Sequence, residues 1–332
     1  MKKKQATLII ISLMIISSLS GQDEFKPPGG PFVKIFADYH ANSSQETGFE
    51  ITRAYFGYSY KMSPDLSGNL TLDVGNPEID INDSTTVNTS FQQTVFLKNA
   101  MISHKRGKVS LDFGLIGLKQ FNIQEKFWGR RYIRKSFQDE YKLGSSADLG
   151  ASITYSPMEI LSMDYTIMNG EGYKKLQSDK YFKSGVGITL KPIENLTLRG
   201  YGDYLNKTEA QVTIASFIGY KIKEASLGFE YNIQNNNKNK AGYDLSGYSI
   251  YGAYEINNKF EIFARYDNLT SSTLTDETTP WNNPKNGSDL ISGIQYVPIK
   301  NVTIAINYQS WNPAESGEST VHGGYLNFQY SF

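Results

Sequence analysis

The 332-residue chain contains no cysteine. That excludes a disulfide framework, thiol chemistry and a lipid-bearing cysteine behind a leader. Neither sign of charge is in excess: 33 basic residues face 33 acidic ones, which gives no global case for a nucleic-acid partner. Histidine is scarce. His40, His104 and His322 are the only three, they fall on separate predicted strands, and none has a neighbouring ligand or nucleophile motif. No glycine-rich phosphate loop, HExxH or GxSxG occurs. Catalysis, a resident metal and a cofactor are therefore not expected. The asparagine run Asn235–Asn239 and the acidic pair Asp276 and Glu277 read as solvated loop, not as a calcium site. Beyond the N-terminus, no apolar run is long enough for a spanning helix.

The N-terminus does carry a short apolar run. Lys2, Lys3 and Lys4 precede Leu8–Ile16, and Ser18 and Ser20 supply small residues ahead of polar Gln22, Asp23 and Glu24. This order reads as a secretory signal over residues 1–20, followed by a linker at 21–31 and one domain at 32–332. Removal of the signal takes three lysines and no acid, leaving 30 basic against 33 acidic residues, a net of about −3.

Tyrosine (23) and phenylalanine (18) are abundant, and the chain is punctuated by tight turns. These are Ser63-Pro64-Asp65, Arg106-Gly107-Lys108, Pro157-Met158-Glu159, Pro192-Ile193-Glu194-Asn195, Lys223-Glu224, Ile256-Asn257-Asn258 and Pro298-Ile299-Lys300-Asn301. Proline, glycine and asparagine suit turn dihedrals and end ladders. Between them lie polar, mostly longer connections near 40–48, 76–92, 119–146, 170–180, 206–210, 232–242, 270–288 and 310–320. Seven short and eight long connections make sixteen strands, with both chain ends on the short-turn side. Two of the turns, Pro192–Leu198 and Pro298–Ile304, are near copies of one strand–turn–strand pattern.

Within the strands, residues alternate with period two. Leu70, Leu72 and Val74 oppose Asn69, Thr71 and Asp73. Leu111, Phe113 and Leu115 oppose Ser110, Asp112 and Gly114, and Leu161 to Ile167 and Val302 to Tyr308 repeat the pattern. Tyr58, Tyr60, Tyr155, Tyr204, Tyr231 and Tyr254 gather near strand ends, where aromatic girdles sit at a membrane interface. A sandwich would bury the apolar face; a membrane barrel turns it to lipid. The expected fold is all-β: an antiparallel up-and-down transmembrane β-barrel of about sixteen strands, with short periplasmic turns and longer outer loops.

The last strand, Val321–Phe332 (VHGGYLNFQYSF), resembles the closing strand of bacterial outer-membrane barrels, which are recognised by the barrel-assembly machinery through a C-terminal aromatic, here Phe332. The passage Phe49–Gly75 (FEITRAYFGYSYKMSPDLSGNLTLDVG) and a basic loop running into Ser146-Ala147-Asp148-Leu149-Gly150 resemble porins of Bacteroidetes-type bacteria, in particular the family grouped with the phosphate-selective porins O and P. The resemblance implies a homotrimeric sixteen-stranded porin in outer-membrane lipid, giving passive ion and solute transport to small hydrophilic molecules, often anions. The ladder of inward lysines that marks phosphate-selective members is missing. Only scattered cations, Arg53, Arg199 and Arg265, mixed with Asp112, Asp148, Asp164, Asp203 and Asp267, fall on lumen parity.

The longest and most charged connection carries Lys119, Lys126, Arg130, Arg131, Arg134, Lys135 and Lys142 against Glu125, Asp139 and Glu140. Long loops of this kind are commonly functional. The expectation is an inward-folding eyelet whose guanidinium groups, chiefly Arg130, Arg131 and Arg134, grip passing anions, with Phe127, Trp128 and Tyr132 pinning it to the wall or forming an apolar slide. The rival readings are a plugged structural or adhesive barrel that acts through its outer loops and, more distantly, a barrel hydrolase.

Overall fold

The structure, a computed structural model, describes residues 29–75 and 93–332. The expected signal segment and the 76–92 connection lie outside the described residues. The strands run β1 (Gly29–Asn42), β2 (Thr47–Lys61), β3 (Leu66–Gly75), β4 (Thr94–Arg106), β5 (Val109–Gly117) and β6 (Ala147–Met158). They continue with β7 (Leu161–Met168), β8 (Lys183–Leu190), β9 (Leu196–Asn206), β10 (Ala210–Ile222) and β11 (Ala225–Asn235). The last five are β12 (Leu245–Glu255), β13 (Phe260–Ser271), β14 (Gly287–Ile299), β15 (Val302–Pro313) and β16 (Val321–Ser331). Two short helices, α1 (Asn122–Trp128) and α2 (Phe137–Glu140), lie between β5 and β6.

Every strand pairs with its sequence neighbours, and β1 pairs antiparallel with β16 from Lys34↔Ser331 to Asn42↔Gly323. The sheet is thus a closed sixteen-stranded barrel with no free edge, so every strand meets its ladder partners without help from water. The period-two pattern decides which side each residue takes. Leu70, Phe113, Ile306 and all six girdle tyrosines point outward into the open, whereas Thr71, Asp73, Asp164, Thr166 and Asn307 are buried inside. Phe113 is 70% exposed and Ile306 69%, a cost no water-soluble barrel would carry over so wide a belt.

The seven tight turns fall where expected, and the start of β1 and the end of β16 share their side. Two of the eight opposite connections are short as well: β1–β2 leaves only residues 43–46 between strands, and β9–β10 only 207–209. Residue parity changes sense at one place in particular. Phe36 pairs with Arg53 but Asp38 with Glu50, so two residues of β2 oppose Ala37 in a bulge. Below it the odd residues Arg53 and Tyr55 face inward; above it Glu50 does, while Phe49 and Ile51 stay outside.

A loop folded into the lumen and a basic mouth

Residues 118–146 fold into the barrel. Aromatic side chains explain why they stay there. Trp128, 1% exposed, lies against Tyr251 (ring centroids 5.6 Å) and Phe263 (6.1 Å), and its indole N–H donates to the Arg134 carbonyl at 2.9 Å. Helix α1 carries Phe127 onto Phe217 (5.3 Å) and stops at Gly129, whose φ of 70° lets its N–H cap the Glu125 carbonyl. Tyr132 reaches the other side of the aromatic cluster beside Phe36, and its hydroxyl donates to Gln295 at 2.8 Å. Phe137 of α2 and Leu143 form a second cluster with Leu245 and Leu269.

The wall is shaped to receive these rings. A Cβ at Gly219 would stand 2.5 Å from the Phe127 ring, and one at Gly247 would stand 2.4 Å from the Phe137 ring. Both glycines are on inward parity, so each leaves a socket for one aromatic of the loop. Phe127, Trp128 and Tyr132 accordingly anchor the loop to the wall.

The three arginines expected to line an eyelet are each engaged by a carboxylate. Arg130 pairs with Glu261 of β13 and stacks over Phe263, 4.9 Å from the ring centroid. Arg131 bridges Glu125 and Asp139, 2.5 Å from each, and donates to the Tyr55 hydroxyl at 3.2 Å. Arg134 reaches Glu140 (3.1 Å), Asp289 (3.2 Å) and the Gln309 amide oxygen (2.8 Å). Burial alone would weaken the Arg131 charge, but Tyr55, Asp139 and Glu125 hold its pKa above the ordinary value. Burial likewise opposes ionisation of Asp139 and Glu140; Arg131 and Lys135 around the first, and Arg134 and Lys135 around the second, outweigh it and lower both carboxyl pKa values. These contacts tie loop to wall.

The remaining expected site residues are spread along the lumen. Arg53 is bidentate to Asp73 (3.1 and 3.0 Å), Arg199 chelates Asp164 (2.8 and 3.1 Å), and Arg265 chelates Asp267 (2.8 and 2.6 Å). Arg199 and Arg265 also donate to the carbonyls of Lys119 and Lys135 at 2.6 Å each, so wall cations hold the loop backbone at its start and near its middle. Lys119 sits by Asp112 (3.2 Å) on the β5 wall. Lys126 is exposed on α1, and Lys142 is exposed in the left-handed region at φ 58°.

Above the loop, at the long-loop end, lies a cavity of about 720 Å³. Ten cationic side chains line it against four carboxylates, Asp139, Glu140, Asp148 and Glu171; behind the lining, Asp73, Glu125, Asp203 and Asp179 pair with Arg53, Arg131, Lys183 and Lys207, which leaves a smaller positive excess. Arg53, Arg131, Lys135 and Lys142 were expected site residues. Lys174, Lys175, Lys183, Lys207, Lys238 and Lys285 were not. Lys183 pairs with Asp203 (2.8 Å) and Lys207 with Glu171 and Asp179. Lys175, Lys238 and Lys285 are exposed and have no carboxylate partner among the described residues. The sequence holds a faint signal for this mouth: five of the eight long connections contribute one or two lysines to it, which only barrel closure brings together.

Comparison with solved structures decides the class. OmpF of Salmonella typhi, solved in complex with daunomycin, superposes with a TM-score of 0.68 at 11% identity, over 92% of this chain and 97% of that one. OprB of Pseudomonas putida gives 0.69 at 10% identity over 92% and 94%, and the channel DcaP of Acinetobacter baumannii 0.66 at 10% over 94% and 99%. The fold is that of a bacterial outer-membrane porin. No protein-family description matches the chain, and no curated protein matches it. The exposed apolar belt of this porin-type barrel is that of a membrane-spanning barrel of the bacterial outer-membrane type.

Proposed function

We propose that the protein is a porin that lets small hydrophilic solutes diffuse passively across the outer membrane, with a preference for anions. The observation that carries the preference is the mouth, where exposed Lys175, Lys238 and Lys285 have no carboxylate partner among the described residues. A confined passage with low-dielectric walls focuses such an excess and raises the local concentration of counter-ions. The reading moves the selecting charge from the loop arginines, which are held by carboxylates, to the lysines above them. No covalent step and no cofactor enter it. Kinship with the porins grouped with phosphate-selective porins O and P, assembly as a homotrimer, and recognition of Phe332 by the assembly machinery belong to the same reading, supported by the residues of the first hairpin and the last strand.

The test is single-channel recording in a planar bilayer under a potassium chloride gradient. The wild type should give a reversal potential of the anion-selective sign, and Lys175→Gln, Lys238→Gln and Lys285→Gln combined should move it toward zero. A cation-selective wild type would overturn the preference. One observation favours a second reading, a closed structural barrel: the loop reaches across to Tyr55 through Arg131, and Tyr173 from the β7–β8 connection donates to Asp73 at 2.5 Å. Folded, inserted protein that stays electrically silent would select that reading.

A further inference from the structure

A second cluster of charged groups lies on the inner wall away from the loop arginines. Asp38 and His40 of β1 sit two residues apart and so share the inward face. The β2 bulge turns Glu50 to that same face, directly across from Asp38. One ligand atom from each of the three lies within 4.8 Å of the other two, and His40 Nδ1 is 2.8 Å from Asp38 Oδ1. Two residues at i and i+2 plus the cross-strand partner present three donors to one point, the arrangement that leaves the remaining coordination positions open to water. The fourth corner is clear: opposite His40 stands Gly48, where an added Cβ would meet nothing within 4 Å.

The electrostatics also call for a cation. Asp38 is 7% exposed, and its side-chain partner is the imidazole, with no lysine or arginine in ion-pair range among the described residues. Arg134, on the loop that faces this wall, is engaged by Glu140, Asp289 and Gln309. Burying the Asp38 carboxylate with only an imidazole as its partner is costly.

We propose that Asp38, His40 and Glu50 form a site for a divalent transition-metal ion at the long-loop end of the lumen. One imidazole and two carboxylates match the mixed nitrogen and oxygen preference of zinc, cobalt or manganese better than magnesium, which keeps its water shell, or copper(I), which prefers sulfur. The imidazole would bind as the neutral ring and the carboxylates as anions. The ion would neutralise a local concentration of negative charge on the lumen wall.

The test is calorimetric titration of the purified, refolded barrel with zinc chloride, with cobalt(II) absorption read on the same sample. The expected result is one zinc per chain, a cobalt d–d band, and at least a tenfold weaker affinity in both His40→Asn and Glu50→Gln, with magnesium giving no heat. Both positions are half-buried, and retained strand content by circular dichroism checks each variant. Zinc uptake equal in wild type and both variants, or none in the wild type, would overturn the proposal. The titration reads no current, so its failure is separate from any failure of the porin reading.

Discussion

Trp128→Ala should free the lumen loop while leaving the barrel intact. The side chain is almost fully buried among Tyr251, Phe263 and the guanidinium groups of Arg130 and Arg265, which stand 5.4 and 5.1 Å from the ring centroid. Truncation of so buried a tryptophan costs about 3–5 kcal/mol, and at 1.4 kcal/mol per tenfold that moves the docked-to-undocked ratio by roughly a hundredfold to a few thousandfold. None of the lost contacts is part of the strand ladder, so the sheet should keep its thermal stability. The assay is single-channel recording beside thermal unfolding in detergent, with Phe113→Ala on the lipid face as the control. The variant should show larger, noisier conductance steps than wild type and an unchanged barrel transition. Identical step size and noise in the variant would refute the claim that aromatic packing keeps the loop in place.

Acid should loosen the same loop. The carboxyl pKa values of Asp139 and Glu140 are lowered from 3.8 and 4.5 in the docked state, so their stabilisation is complete above those values and is lost as pH falls through the lowered ones; conductance noise should be flat from pH 7 to 5 and rise below about pH 4. Arg265→Met should destabilise the barrel by about 3–5 kcal/mol, because it strands buried Asp267, and adding Asp267→Asn should restore most of the loss in a urea-unfolding measurement. Gly219→Ala should force the Phe127 and Phe217 rings aside at a cost of about 1–3 kcal/mol, seen as a shift in tryptophan fluorescence from Trp128 and a milder rise in noise than Trp128→Ala gives.

The strands were legible because a barrel in lipid repeats one constraint: apolar out, polar in, for each crossing. Leu70 to Val74 and Val302 to Tyr308 state it plainly, and the prolines and asparagines of the turns count the crossings. Sequence reading falls short where the lumen has its own core. Phe36, Phe217, Tyr251 and Phe263 occupy inward positions, and there an aromatic on polar parity looks like a break in the pattern. In retrospect it marks the wall that receives the loop. Pairing was also hidden. The charges of Arg130 and Arg134 are visible in the chain, but Glu261 and Asp289 lie more than a hundred residues away, and only register brings them into contact. Glu50 is the extreme case, since its side of the sheet depends on one extra residue in the ladder.

The loop's contacts also fix when it can be finished. Its anchors are scattered over strands that appear later in the chain, up to β16, where the Asn327 amide donates to the Tyr132 carbonyl at 3.4 Å. Others lie on β1 and β2, the first strands made, through Phe36 and Tyr55. No partly built sheet holds all of these at once, because the two groups become neighbours only when β1 meets β16. The interior therefore cannot be complete before the wall is sealed. During biogenesis the aromatic rings of residues 118–146 can meet β10–β13 in an open sheet, but it is closure that supplies the remaining anchors and completes the interior.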